Sequence, residues 1–138
     1  MYSDILKDLL NYAFDHGIGI ETVHANMDTP CLVLNNKKLI VLNLNWNRSQ
    51  IPFALSHEIA HILNEDELSL YKSDSCNYKL SFEYNANIKA LNILVPIYLK
   101  RCEYTINNIY PLMEQLNIPE KLVNETKQIT SKYIQKDC

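Results

Sequence analysis

Apolar residues recur at helical spacing at the start of the chain and at strand-like spacing soon afterwards. The repeat over residues 3–16 predicts an amphipathic helix, which Gly17 ends just past the last turn. Residues 18–24 read as a short strand. Two apolar runs separated by Asn-Asn-Lys-Lys predict a β-hairpin over residues 31–44, because asparagine tolerates the positive φ of a tight turn.

Two further helices are predicted in the middle of the chain. Residues 53–63 are apolar nearly all round, which is typical of a helix buried inside a domain. A second helix is predicted over residues 82–96, with Ser81 as its N-cap and a proline at its end. Residues 97–138 carry helical stripes without a catalytic pattern, so we expect a helical C-terminal tail behind a catalytic core formed by residues 1–96. One predicted helix of this tail runs from Thr105 to Leu116, with Pro111 kinking or dividing it.

Composition narrows the class of protein. A chain of 138 residues suits one domain with a real core, so we expect residues 1–138 to form a single domain. Two glycines disfavour a glycine-loop nucleotide site, and a net charge of −3 without a basic face disfavours direct nucleic-acid binding. The four cysteines lack ligand spacing, and neither a signal peptide nor a membrane-spanning run is visible. We therefore expect a cytoplasmic protein with reduced thiols.

The buried helix contains the pattern His-Glu-x-x-His, formed by His57, Glu58 and His61. Residues four apart lie on one helix face, about 6 Å apart along the axis, so both imidazoles can bind one metal ion. Glu58 lies about 100° round the helix, where its carboxylate can reach a water molecule at the metal. The alternative is a buried helix with two hydrogen-bonded histidines and an exposed glutamate. Burying these side chains without partners is costly, which favours the metal site.

The second helix carries a carboxylate on an otherwise apolar face. Glu83 is therefore the predicted third ligand of a zinc ion, and Asn87, one turn later, is placed to hydrogen-bond a ligand histidine. The alternative is an ordinary first-turn glutamate favoured by the helix dipole. A purely structural zinc site would instead need a fourth protein ligand such as Cys76 or His24, and Cys31 is a further candidate thiol.

These two motifs, in this order, resemble the ImmA/IrrE metallopeptidases over residues 47–96. The first motif is Arg-Ser-Gln-Ile-Pro-Phe-Ala-Leu-Ser-His-Glu-Ile-Ala-His at residues 48–61. The second is Glu-Tyr-Asn-Ala-Asn at residues 83–87, followed by Leu-Val-Pro at 94–96. Ala60 stands where the family usually has glycine, a departure that touches no ligand.

The resemblance implies a zincin-like minimal metallopeptidase of the α+β class, with a small antiparallel sheet packed on the central His-Glu-x-x-His helix and further helices around it. It also implies that His57, His61 and Glu83 bind zinc and that Glu58 is the catalytic base. Known relatives are common on prophages and other mobile elements, and they cleave a helix-turn-helix repressor and so switch genes on.

We therefore expect a zinc-dependent metallo-endopeptidase that cleaves a partner protein in the cytoplasm, with a helix-turn-helix transcriptional repressor as the expected substrate and no membrane partner. The hydrogen-bond donor that would stabilise the transition-state oxyanion is not decided, and the candidates are Tyr78, Tyr84 and Tyr98. The alternative function is a non-hydrolytic regulator that keeps the peptidase fold and binds a repressor or toxin partner.

Overall fold

A computed structural model describes residues 2–34, 37–64, 76–102 and 108–136, and this part of the chain is mixed α+β, as predicted. Its elements follow one another as α1 (Tyr2–Asp15), β1 (Gly19–Val23), β2 (Leu32–Leu34), β3 (Leu39–Asn43), α2 (Ile51–Leu63), α3 (Cys76–Arg101), α4 (Ile109–Leu116) and α5 (Val123–Lys136). None of the helices within these ranges is long and apolar enough to cross a bilayer.

The three strands form a mixed sheet in the order β1-β3-β2. Strands β2 and β3 pair antiparallel, with Leu32 opposite Val41, so the predicted hairpin is confirmed. The prediction of a wholly antiparallel sheet is wrong, because β1 pairs parallel with β3 and places Ile20 opposite Ile40. β3 occupies the centre because its apolar residues are the most buried: Ile40 and Leu42 have 0% exposure.

Helix α2 is buried along most of its length, as predicted. A short 3₁₀ turn precedes it, and the Asn47 side chain caps that turn by accepting a hydrogen bond from the Ser49 amide at 3.1 Å. Pro52 lies in the first turn of the helix, where its missing N–H is not needed. Leu55 and Ile59 have 0% exposure and pack into the core against the other helices.

Helix α3 is longer than predicted at both ends. It begins at Cys76, before the expected cap, and continues through Pro96 to Arg101. A proline inside a helix leaves the carbonyl four residues earlier without its usual N–H donor. That carbonyl belongs to Asn92, and the hydroxyl of Tyr133 in α5 is shared between it, at 3.4 Å, and the side-chain Oδ1 of the same residue, at 3.3 Å. Buried apolar residues on both sides of the proline also favour the helical path.

The tail packs on the same core as the rest of the chain. Asn108 caps α4 by accepting a hydrogen bond from the Tyr110 amide at 3.0 Å, and Pro111 lies in the first turn and does not divide the helix. The predicted start of this helix at Thr105 lies outside the described residues. Leu112, Leu116 and Ile129 join the cluster that also contains the buried residues of α1, α2 and α3.

Candidate metal centre

Small side chains let α2 and α3 approach each other closely. Ala60 of α2 and Ala86 and Ala90 of α3 all have 0% exposure and form one cluster, with Phe53 against it. Alanine at a helix contact lets the two backbones come near, since little side chain lies between them. Ala60 immediately precedes His61. The cluster therefore brings the His-Glu-x-x-His face of α2 next to the first described turns of α3.

The three predicted ligands meet at this contact. Nε2 of His57 lies 3.0 Å from Nε2 of His61 and 3.1 Å from Oε2 of Glu83. Nε2 of His61 lies 3.3 Å from Oε1 of the same carboxylate. Within the described ranges these three residues form a group whose ligand atoms all lie within 4.8 Å of one another. Their side chains could bind one metal ion.

The spacing of these atoms fits a zinc ion. Bonds of about 2.0–2.1 Å in a tetrahedron place neighbouring ligand atoms about 3.3 Å apart. The observed separations of 3.0–3.3 Å lie close to that value. Two imidazoles and one carboxylate are also a donor set that catalytic zinc sites use, leaving the fourth position for water. The Glu83 side chain is 41% exposed, so one side of the group faces solvent.

Hydrogen bonds and a metal ion are alternative ways to satisfy this triangle. A carboxylate only accepts hydrogen bonds, and its two oxygens face different rings, so two Nε2–H groups could donate to Glu83. The two Nε2 atoms, 3.0 Å apart, would then be two donors in contact with no acceptor between them. With both Nε2 lone pairs free, a cation between the three residues would bind all of them.

One feature of an ideal metal site is missing in the described part of the chain. Ligand histidines usually donate their second ring N–H to an acceptor. Nδ1 of His57 is buried and has no hydrogen-bond partner. Asn87 is buried, with 8% exposure, and its side chain interacts with the His57 ring. Its predicted role in orienting that ring stays a prediction.

Burial shifts the pKa values of two titratable groups at this site, His57 and Glu58. It lowers the pKa of His57, as does the nearby His61, while Glu83 and Asn87 oppose the shift. A lowered histidine pKa favours the neutral ring that binds metals. Burial also raises the pKa of Glu58, with the Glu83 charge adding to the shift and His61 opposing it. A carboxylate with a raised pKa is a better proton acceptor near neutral pH.

Other candidate residues lie away from the group. Tyr84 is 50% exposed and donates a hydrogen bond to Glu125 at 3.4 Å. Tyr98 is buried and donates to Gln115 at 3.0 Å. The proposed role of Tyr78 stays a prediction, because its side chain lies outside the described residues. Both hydroxyls thus bond to residues outside the three-residue group, and the choice of an oxyanion donor among the three tyrosines stays a prediction.

The alternative zinc ligands are not part of the described group. His24 is exposed, and its Nδ1 lies 3.3 Å from Oδ1 of Asn45. The Cys76 side chain lies outside the described residues. Cys31 is close enough to Glu58 for the carboxylate charge to raise its thiol pKa, although burial is the larger cause. No local pattern in the sequence connects Cys31 with Glu58, since the two lie far apart along the chain.

Comparison of the chain with models of protein families, with curated proteins and with solved structures gives no match.

Proposed function

We propose that this chain is a zinc-dependent endopeptidase that cleaves a partner protein. The observation that supports the proposal most strongly is the meeting of two histidine nitrogens and a carboxylate at 3.0–3.3 Å, which is the donor set and the spacing that a tetrahedral zinc ion needs. His57, His61 and Glu83 would hold the ion. Zinc, when bound, lowers the pKa of water and polarises a carbonyl group.

Glu58 is the residue of this chain that would handle protons. It adjoins the first ligand on α2, is partly buried, and has a raised pKa. We assign it the removal of a proton from water during attack on the peptide carbonyl and the transfer of that proton to the leaving amine. Removing this carboxylate should therefore stop hydrolysis and leave metal binding intact.

A polypeptide substrate agrees with the neighbouring sheet. Strand β2 directly follows Cys31, whose thiol pKa is raised mainly by burial and in part by the charge of Glu58, and its second edge has no partner strand among the described residues. An extended peptide can add to such an edge through main-chain hydrogen bonds. The resemblance to ImmA/IrrE proteins makes a helix-turn-helix repressor of a phage or mobile element the proposed substrate. We place the reaction in the cytoplasm, where Cys31 and Cys102 would stay reduced.

The test is incubation of the zinc-loaded protein with a repressor encoded beside its gene. We expect cleavage that a chelator abolishes and that Glu58→Gln reduces by about 10²–10⁴-fold with zinc affinity unchanged. Equal cellular activity of wild type and Glu58→Gln would instead support the non-hydrolytic regulator. Glu125→Gln, which removes a carboxylate remote from the group, is the matched control and should cleave normally.

A further inference from the structure

The two faces of the sheet differ in what covers them. Strand pairing places Ile20, Val33 and Ile40 side by side on the face that packs on the helices. Side chains alternate along a strand, so the opposite face carries the remaining residues. We call this the outer face, and its members include Val23, Leu32, Leu34, Leu39, Val41 and Glu21.

The outer face is apolar where a solvated face is normally polar. Leu32 is 58% exposed and Val23 is 37% exposed, and the other three apolar members are partly exposed. None of the five belongs to the core cluster or packs against it. A small sheet with one face in water usually alternates apolar and polar residues, so five aliphatic residues on this face need an explanation.

Asn43 marks where coverage of the outer face begins. Its side chain donates to the carbonyls of Asn26 and Thr29, both at 2.7 Å, and accepts from the Ala25 amide at 2.9 Å. This residue is only 1% exposed, because the segment between β1 and β2 crosses it. The same segment leaves Leu32 in solvent. Among the described residues, the chain therefore covers the polar end of the outer face and leaves its aliphatic part partly exposed.

The size of the outer face argues against a stable dimer. Three strands of up to five residues span roughly 14 Å by 17 Å, or about 240 Å². Each side of a standard stable interface contributes about 800 Å². Contact through this face alone therefore suits a transient complex.

Glu21 argues against a second copy of the chain as the occupant. It lies beside Val41 in the row that also contains Leu32. A two-fold axis along β3 would place Glu21 over Leu32 of a second copy, and an axis across the strands would place it over another Glu21. The first arrangement buries an unpaired charge and the second opposes like charges. A different protein that supplies a basic residue avoids both costs.

We propose that the outer face is a docking site for a segment of another protein that presents aliphatic side chains flanked by a lysine or arginine. The aliphatic side chains cover Leu32, Val41 and their neighbours, and the basic residue pairs with Glu21. The site is formed by the sheet alone, so it does not require the metal. Binding therefore continues when zinc is removed.

The probe is a fluorescein-labelled amphipathic helical peptide of about 16 residues with a leucine stripe flanked by lysines, paired with the same peptide flanked by glutamates. Fluorescence anisotropy with the full chain, in chelator, should give saturable binding about tenfold tighter for the lysine peptide. Glu21→Lys should reverse that preference. Leu32→Ser should weaken binding at least about tenfold, and Val23→Thr should weaken it less.

Phe14→Ser is the matched control, because Phe14 is 80% exposed on α1, outside the sheet. Its affinity for the lysine peptide should equal that of wild type, and circular dichroism should be the same for all variants. The proposal is overturned if binding does not saturate below about 1 mM, or if Glu21→Lys leaves the preference unchanged. Equal weakening by Phe14→Ser and Leu32→Ser would also overturn it. A sedimentation shift from dimer to monomer with Leu32→Ser would show that a second copy is the occupant.

Discussion

Replacing Glu83 by glutamine should change stability little without zinc and should remove most of the stabilisation that zinc provides. In chelator, the two carboxylate oxygens lie 3.1 Å and 3.3 Å from two ring nitrogens. Glutamine has the same shape and keeps one acceptor oxygen, and its amide group can donate to a ring nitrogen that carries no proton. We therefore expect the chelated variant to lie within about 1 kcal/mol of wild type.

The size of the zinc effect follows from linkage. Zinc at 1,000 times its Kd stabilises the wild type by about 4 kcal/mol, which is roughly 12–15 °C in Tm for a domain of this length. Loss of an anionic ligand should weaken binding at least about 100-fold, since loss of a group that only supports a ligand already costs about 10–100-fold. At the same zinc concentration the variant should gain about 1.4 kcal/mol, or roughly 4–5 °C.

Differential scanning fluorimetry with chelator and with a zinc series measures both effects. Glu125→Gln serves as the control, because its carboxylate lies on α5, accepts a hydrogen bond from the Tyr84 hydroxyl and is not one of the three ligand groups. It should show the full wild-type zinc shift. A Glu83→Gln variant that loses several degrees in chelator yet keeps the full zinc shift would refute the assignment of this residue as a ligand.

Two further predictions concern the helices that support the site. Tyr133→Phe removes the hydroxyl that reaches the Asn92 carbonyl left open by Pro96, so the free energy of unfolding in urea should fall by about 1 kcal/mol. In a Pro96→Ala background the same substitution should cost less. An equal cost in both backgrounds would contradict the pairing of this hydroxyl with this carbonyl. Ala86→Leu overfills the contact with Ala60, where both residues have 0% exposure, and should lower the free energy of unfolding by about 1–3 kcal/mol. It should also weaken zinc binding, measured by competition with a chelating dye. Normal zinc affinity in a destabilised variant would show that the helix spacing does not control the ligands.

Local patterns predicted the parts of the fold that depend on local chemistry. The turn residues between two apolar runs predicted the hairpin of β2 and β3, and the all-round apolar pattern predicted the buried α2. The four-residue spacing of His57 and His61 places both rings on one face of the helix without any tertiary contact. Glu83 could be proposed because a carboxylate on an inward face needs a partner, and the structure brings it within 3.3 Å of both rings.

Features that depend on distant contacts were not predictable in the same way. The parallel pairing of β1 with β3 depends on where the intervening segment crosses, which Asn43 fixes with its side chain. Helix α3 passes through Pro96 because the distant Tyr133 supplies a hydroxyl to the freed Asn92 carbonyl and buried neighbours hold the turn. The apolar outer face depends on the strand register, which aligns residues from three separate parts of the chain.

X-ray absorption at the zinc edge, on protein purified without added chelator, tests the central claim most directly. We predict one zinc per chain, with a first shell of nitrogen and oxygen at about 2.0–2.1 Å and two imidazoles resolved by their outer-shell scattering. A chain that retains no zinc after reconstitution would contradict the account. A sulfur ligand at about 2.3 Å would also contradict it, because a closed site with a thiolate would leave no place for water.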